Sequence, residues 1–426
     1  MLARVLTLVA VYATVVAADA TDVSAVTVDV SSSSLTRDVL DRAHNVKSYV
    51  QRVRRHIHQR PELMWEEEHT MSFIERELDA LGITHERITA TGVVATLGAG
   101  RRSVGLRADA DALPLTEDTG LAYASKTEGK MHACGHDGHV AMLLGAARVL
   151  KEVHDEDPGA FPGTVRFIFQ PAEEGGAGAK EMLKPRDGSR GMVDFDPPIQ
   201  SGGTIMAGAG EFVIDIAGRG GHAAVPHKNV DVIVAGSAIV TALQTLVSRL
   251  TDPLDSVVVS VTVFNAGTAS NIMADKATLR GTLRALNPKT FALMQQKVVD
   301  MAAATAVAHG CEASTSFEPE QYGKKRVPYP PTVNDPQAAQ LAMNVAAQLF
   351  GAENTRDVVP VMPAEDFSFF GQTYPSVMMW LGAYNESAGS THPLHSPKYI
   401  LDENILTNGV ALHAAYALSF LKNGFA

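Results

Sequence analysis

Metal-ligand residue types stand at the ends of segments that read as buried strands and helices, and that placement restricts the fold more than any bulk property does. Residues 104–109 read as a strand ending in Asp109. Residues 164–170 read as a second, buried strand that runs into Pro171, Ala172, Glu173 and Glu174. Between them, an apolar helix over 140–153 directly follows a run, 131–139, that holds a thiol (Cys134), imidazoles (His132, His136 and His139) and a carboxylate (Asp137). Strands alternating with helices imply an α/β fold built on a mixed, mostly parallel sheet with flanking helices. Such sheets gather their sites at the carboxyl ends of the strands.

The remaining pattern extends this plan. Helical spacing covers 37–60 and 70–81, the latter stopped by Gly82, and 93–97 reads as a strand. A different unit begins near Glu211, with strand 212–217, a turn from Gly218 to His222, helix 231–250, strands 256–264 and 277–286, and helix 288–308. That order suits a smaller α+β sandwich inserted into the larger domain. A chain of 426 residues can bury two such cores. The expected division is 37–210 and 326–426 for the larger domain and 211–325 for the smaller one.

At the N-terminus, Arg4 precedes an apolar run that ends in Ala18-Asp19-Ala20. This predicts a signal peptide over 1–20, a loose leader over 21–36, and a secreted protein with no membrane span in its mature chain. The chain ends without a Lys-Asp-Glu-Leu type tetrapeptide, so extracellular release is expected over retention. Net charge is −11 with no basic block, which argues against nucleic acid as a partner. With only Cys134 and Cys311 present, a disulfide framework is not expected, and Cys311 reads as a small buried apolar residue.

Cys134 and His136 flank a glycine, so on an extended or turning backbone both can reach one metal ion. Sulfur and imidazole together suit zinc, or another divalent transition metal if carboxylates complete the site. Glu173 and Glu174 can line one pocket if the chain turns there, one binding metal and the other serving as general base; a solvated acidic turn is the bland alternative. Asp109 and Asp111 could orient the ligands from behind.

These residues carry a resemblance to the M20 metallopeptidase superfamily, in the amidohydrolase branch that contains aminoacylases, hippurate hydrolases and indole-3-acetic acid–amino acid hydrolases. The similarity runs from about His56 to near the C-terminus. It rests on His58-Gln59-Arg60-Pro61-Glu62-Leu63, on Leu106-Arg107-Ala108-Asp109-Ala110-Asp111-Ala112-Leu113-Pro114, and on the 131–139 cluster. Further motifs are Phe169-Gln170-Pro171-Ala172-Glu173-Glu174-Gly175, Gly218-Arg219-Gly220-Gly221-His222-Ala223-Ala224, Gly267-Thr268-Ala269-Ser270-Asn271, Gly281-Thr282-Leu283-Arg284 and Leu394-His395-Ser396-Pro397. The resemblance implies a zinc-exopeptidase-like catalytic domain, a smaller lid and dimerisation domain, and a homodimer. It implies two divalent ions per chain, Mn²⁺ or Zn²⁺, with Cys134 bridging them and His136, Glu174 and His395 as further ligands. Glu173 would be the catalytic base. His222 would help polarise the scissile carbonyl, across a subunit boundary, while Asn271 and Arg284 would hold the substrate's carboxylate. The implied reaction is hydrolysis of an N-acyl or aryl-acyl amino acid.

Two departures qualify that expectation. The family's further metal-binding histidine has no counterpart, because no histidine lies between Gly175 and Gly221. The chain is shorter there by about twenty residues, including a strand, judged against normal connection lengths around 185–205. A mis-spliced gene reading would explain the shortening; if the shortening is genuine, the second metal site is expected to be impaired, and a binder that has lost hydrolysis is one alternative. Secondly, Ala274 replaces a proline usual near Asn271. A dipeptidase of the same fold is another alternative; Arg107-Ala108-Asp109, where peptidase branches carry His-x-Asp, speaks against it.

Overall fold

The computed structural model describes residues 10–18, 33–158, 161, 163–184, 203–321 and 324–425. The expected shortening near 185–205 falls mostly outside the described residues, as do 1–9 and most of the leader. The chain divides into two compact units, one of Met1–Gly203, Asn334–Asp357 and Phe370–Ala426, the other of Thr204–Val333 and Val358–Phe369.

In the first unit, β1 (Ala10–Ala18), β2 (Thr84–Thr89), β3 (Gly92–Gly98), β4 (Ser103–Asp109) and β5 (Thr164–Gln170) join the strand Ser376–Gly382 in one six-stranded sheet. Its order is Ser376–Gly382, β1, β4, β5, β3, β2. Only β4 and β5 run parallel; every other pair is antiparallel. The expectation of a mostly parallel sheet is thus corrected. β4 and β5 are connected through a crossover helix and must run parallel, whereas β2 and β3 are a hairpin with a two-residue turn. β2 is polar and half exposed, so it carries little strand signal.

Residues 10–18, read as part of a signal peptide, form the strand between β4 and Ser376–Gly382. The register runs from Ala10↔Gly382 to Val16↔Ser376 on one side and from Thr14↔Arg107 to Ala18↔Ser103 on the other.

Helix α1 (Ser33–Asn45) begins inside the expected leader, and α2 (Lys47–His58) follows it after a break at Val46. α3 (Glu68–Ala80) starts where Glu62 accepts the backbone N–H groups of His69 and Thr70 at 3.0 and 2.8 Å. α4 (His136–Glu156) is buried along most of its length, between α2 and the helix Leu406–Asn423. A Cβ on Gly145 would lie 2.5 Å from Val410 Cγ2 and 2.6 Å from Val50 Cγ1, so glycine there sets how closely these helices pack.

The second unit packs an antiparallel sheet against helices. Its antiparallel sheet has the order Glu312–Ser316, Gly208–Ala217, Lys276–Ala285, Val257–Ala266. Phe212, Ile214 and Ile216 alternate into a core shared with Ile239 and Leu243 of the helix Val232–Thr245 and Met294 and Val298 of the helix Pro288–Ala308. Asp231 and Asn287 cap these helices, each accepting two backbone N–H bonds. Residues Val232–Leu250 are long and apolar enough to cross a membrane by length and composition. Here Val232, Ala235, Ile239, Leu243 and Leu246 are buried against the sheet.

Candidate active site

Cys134 and His136 meet at the start of α4. Residues 131–133 run beside Leu113, with Leu113 and Met131 exchanging both backbone hydrogen bonds. Gly135 then turns the chain with φ 92°, and His136 opens the helix. His136 Nδ1 lies 2.8 Å from the carbonyl oxygen of Asp111. A carbonyl can only accept, so Nδ1 carries the proton and Nε2 is left with its lone pair for a metal. Burial pushes the Cys134 thiol up, against the opposing pull of His136. Cys134, His136 and Glu174 each offer a ligand atom, all within 4.8 Å of one another.

His395 completes this group. It holds a left-handed backbone, φ 64°, and its N–H donates to the carbonyl of Ala133 at 2.9 Å. Its Nε2 is 3.2 Å from Glu174 Oε1. Hydrogen bonding to Cys134 and then to Glu174 pushes its pKa up to about 10. A thiol, two imidazoles and a carboxylate converge, which is donor chemistry suited to a divalent transition metal. These four side chains could hold one, and metal binding would displace the protons of Cys134 and His395.

The loop after β5 carries the two glutamates. Asp111 accepts the backbone N–H of Glu173 at 3.0 Å on Oδ1 and that of Glu174 at 2.9 Å on Oδ2. Just before them, Ala172 is left-handed at φ 56° and donates its N–H to Glu67 Oε1 at 2.9 Å. Glu173 is buried, with Oε2 4.0 Å from His136 Nε2. Asp109 accepts from Arg107 at 2.7 Å, pairs with His139 Nδ1 at 2.5 Å, and lies 3.7 Å from His136 Nε2. Burial alone would raise the Asp109 pKa, but Arg107, with His136 and His139, holds it well below the carboxylate range. Arg107 also donates to Gln170 at 2.8 Å, linking β4 to β5 beneath the site.

A buried polar cluster behind α4 was not assigned from sequence. Arg54 Nε is 2.9 Å and His58 Nδ1 2.8 Å from Asp137 Oδ2, and Arg54 also reaches Glu403 at 3.1 Å. The signal was present: Val50, Val53, Arg54, Ile57 and His58 form the buried face of α2, so two cationic types occupy core positions. Their buried partner is Asp137, the residue after His136.

In the second unit, His222 and Asn271 are brought together. Gly221–His222 pairs with Ile272–Met273, and Ala223 N–H donates to the Asn271 carbonyl at 3.1 Å. His222 is exposed, and its Nδ1 accepts the N–H of Ala224 at 3.1 Å. The neutral ring therefore carries its proton on Nε2. Arg284 is half-buried on the strand Lys276–Ala285 and donates to the carbonyl of Met362 at 2.9 Å.

The family profile described as Peptidase family M20/M25/M40 matches residues 105–419. IAA-amino acid hydrolase ILR1-like 2 of Arabidopsis thaliana is 43% identical over 389 residues, covering 88% of this chain and 86% of the relative. The hippurate hydrolase of Campylobacter jejuni is 36% identical over 407 residues, covering 91% and 100%. Among solved structures, the Bacillus subtilis YXEP protein, described as a dinuclear metal binding peptidase from the M20 family, has a TM-score of 0.70 at 29% identity, with 89% of this chain and 99% of that one covered. The chain belongs to the M20 peptidase family, and its fold and relatives place it among the metal-dependent amidohydrolases and peptidases of that family.

Proposed function

We propose that this enzyme hydrolyses the amide bond between an aryl-acyl or other acyl group and an amino acid. The observation that carries the reading is the convergence of Cys134, His136, Glu174 and His395 beside the buried carboxylate of Glu173. Similarity to proteins named for hydrolysing IAA-amino acids and hippurate supports the substrate class. A divalent ion held by those four residues would supply Lewis acidity and lower the pKa of water. Glu173 takes a proton from the attacking water, whose oxygen bonds to the amide carbon. The carbon–nitrogen bond then breaks, and Glu173 returns the proton to the leaving amine. His222 offers its Nε2–H to the developing oxyanion. Asn271 and Arg284 are assigned to the substrate carboxylate, for which the planar guanidinium is suited. Asp111 and Asp109 hold the ligands and the glutamate loop from behind.

The missing family histidine leaves a second metal position short of a ligand, so metal counting on the purified enzyme should show one tightly held ion, Zn²⁺ or Mn²⁺. Glu173→Gln should lower release of free amino acid from an N-acyl amino acid panel by about 10²–10⁴-fold while that ion stays bound. Undiminished release by Glu173→Gln would refute the assignment. Assembly as a homodimer through the second unit belongs to the same proposal. It is supported by the exposed apolar side chains Ile233, Val234, Val258 and Phe264 around an edge strand.

A further inference from the structure

We propose that Glu67 is a positioning residue for the Glu173–Glu174 loop, fixing the course of the chain into both glutamates through a single carboxylate oxygen. Glu67 Oε1 accepts the backbone N–H of Trp65 and that of Ala172, both at 2.9 Å. Both donors are left-handed non-glycine residues, with φ 68° and 56°. That conformation is disfavoured for any residue with a Cβ and persists only where its surroundings hold it.

The amides continue in series. Ala172 is held by Glu67, and Glu173 and Glu174 are held by the two oxygens of Asp111. Successive N–H groups at the end of β5 therefore point toward two buried carboxylates delivered from other segments. This sends the chain out of the strand into the loop that carries both glutamates. The packing is consistent with a clamp: a Cβ on Gly176 would lie 2.6 Å from both Ala172 Cβ and Trp65 Nε1, so the two left-handed residues close on the same glycine. Glu67 itself is wholly buried and caps the start of α3, where Met71 N–H donates to its carbonyl.

Burial, then the charge of Asp111, pushes the Glu67 carboxyl up to about 8. The clamp needs an acceptor oxygen and no negative charge, so glutamine should replace it and leucine should not. The effect on turnover rests on the proposed roles of Glu173 and Glu174; the effect on the loop does not.

The test compares full-length Glu67→Gln and Glu67→Leu by hydrogen exchange of the peptide spanning 170–178, metal content, and kcat and KM on an N-acyl amino acid. In the leucine variant, exchange at Ala172–Glu174 should rise at least tenfold and kcat fall at least tenfold, with KM within about threefold. The glutamine variant should restore both. A folded leucine variant with wild-type exchange, or a folded glutamine variant as impaired as leucine, overturns the proposal. Faster exchange with unchanged turnover keeps the clamp and overturns the roles given to the glutamates instead. If the leucine variant does not fold, glutamine decides: within threefold of wild type supports the clamp, and a tenfold loss refutes it.

Discussion

Gly135 shows how much of the site depends on backbone that only one residue type supplies. It separates Cys134 from His136 at φ 92°, and a Cβ there would sit 2.9 Å from the hydroxyl of the buried Tyr399. Gly135→Ala is expected to cost about 1–2 kcal/mol for the left-handed backbone. The contact with Tyr399 adds to this and drives Cys134 and His136 apart. Thermal unfolding and metal titration on one preparation check this: a lower Tm with weakened metal binding is expected, and an alanine variant that binds metal as wild type does would contradict it. His395 and Ala172 are left-handed without being glycine, which places backbone strain at and beside the residues proposed to hold metal. The candidate metal-binding side chains could be picked out from the sequence, because thiol, imidazole and carboxylate announce their chemistry. Glu67 and Arg54 could not. Each acts through a partner distant in sequence, Glu67 through the Ala172 amide and Arg54 through Asp137.

At the scale of elements, the segments with strong apolar periodicity were legible and their pairing was not. The strand Thr164–Gln170 and the helix Pro288–Ala308 fall where the pattern puts them. The direction of neighbouring strands depends on connections that periodicity does not encode, so the sheet is mainly antiparallel although strands and helices alternate along the chain. The sharpest conflict concerns β1. As a signal peptide, residues 1–20 would be removed; as a strand, 10–18 bridge β4 and Ser376–Gly382. β4 is buried along its whole length, so losing its partner would strand buried backbone groups at about 1–3 kcal/mol each. Several such losses rival the roughly 5–15 kcal/mol stability of a typical domain. A chain starting at Thr21 is therefore expected to be insoluble or to unfold far below the full-length protein, as thermal melts of the two forms would show. A mature, active protein whose N-terminal sequence begins at Thr21, with an unchanged Tm, would sink this expectation and favour the secretory reading.

For the whole molecule, the surface of the second unit carries the question of assembly. The strand Val257–Ala266 ends its sheet, and its outer edge has no ladder among the described residues. An exposed edge of ten residues invites pairing with another strand unless charge or a covering element blocks it. Here the edge presents Val258 and Phe264, each more than a third exposed, next to a helix that exposes Ile233 and Val234. Apolar side chains flanking an open edge fit a two-fold interface, in which the same patch meets itself and each residue counts twice. Burying a side chain of this size contributes about 1.5–3 kcal/mol. A paired substitution, Val258→Glu with Phe264→Glu, places like charges on both sides and should weaken association by at least about 100-fold, equivalent to about 2.8 kcal/mol. Sedimentation equilibrium at micromolar concentration should give twice the 45.3 kDa chain mass for the wild type and the single-chain mass for the double variant. Wild type sedimenting as a monomer, or the double variant remaining a dimer, would show that this edge is not where two copies meet.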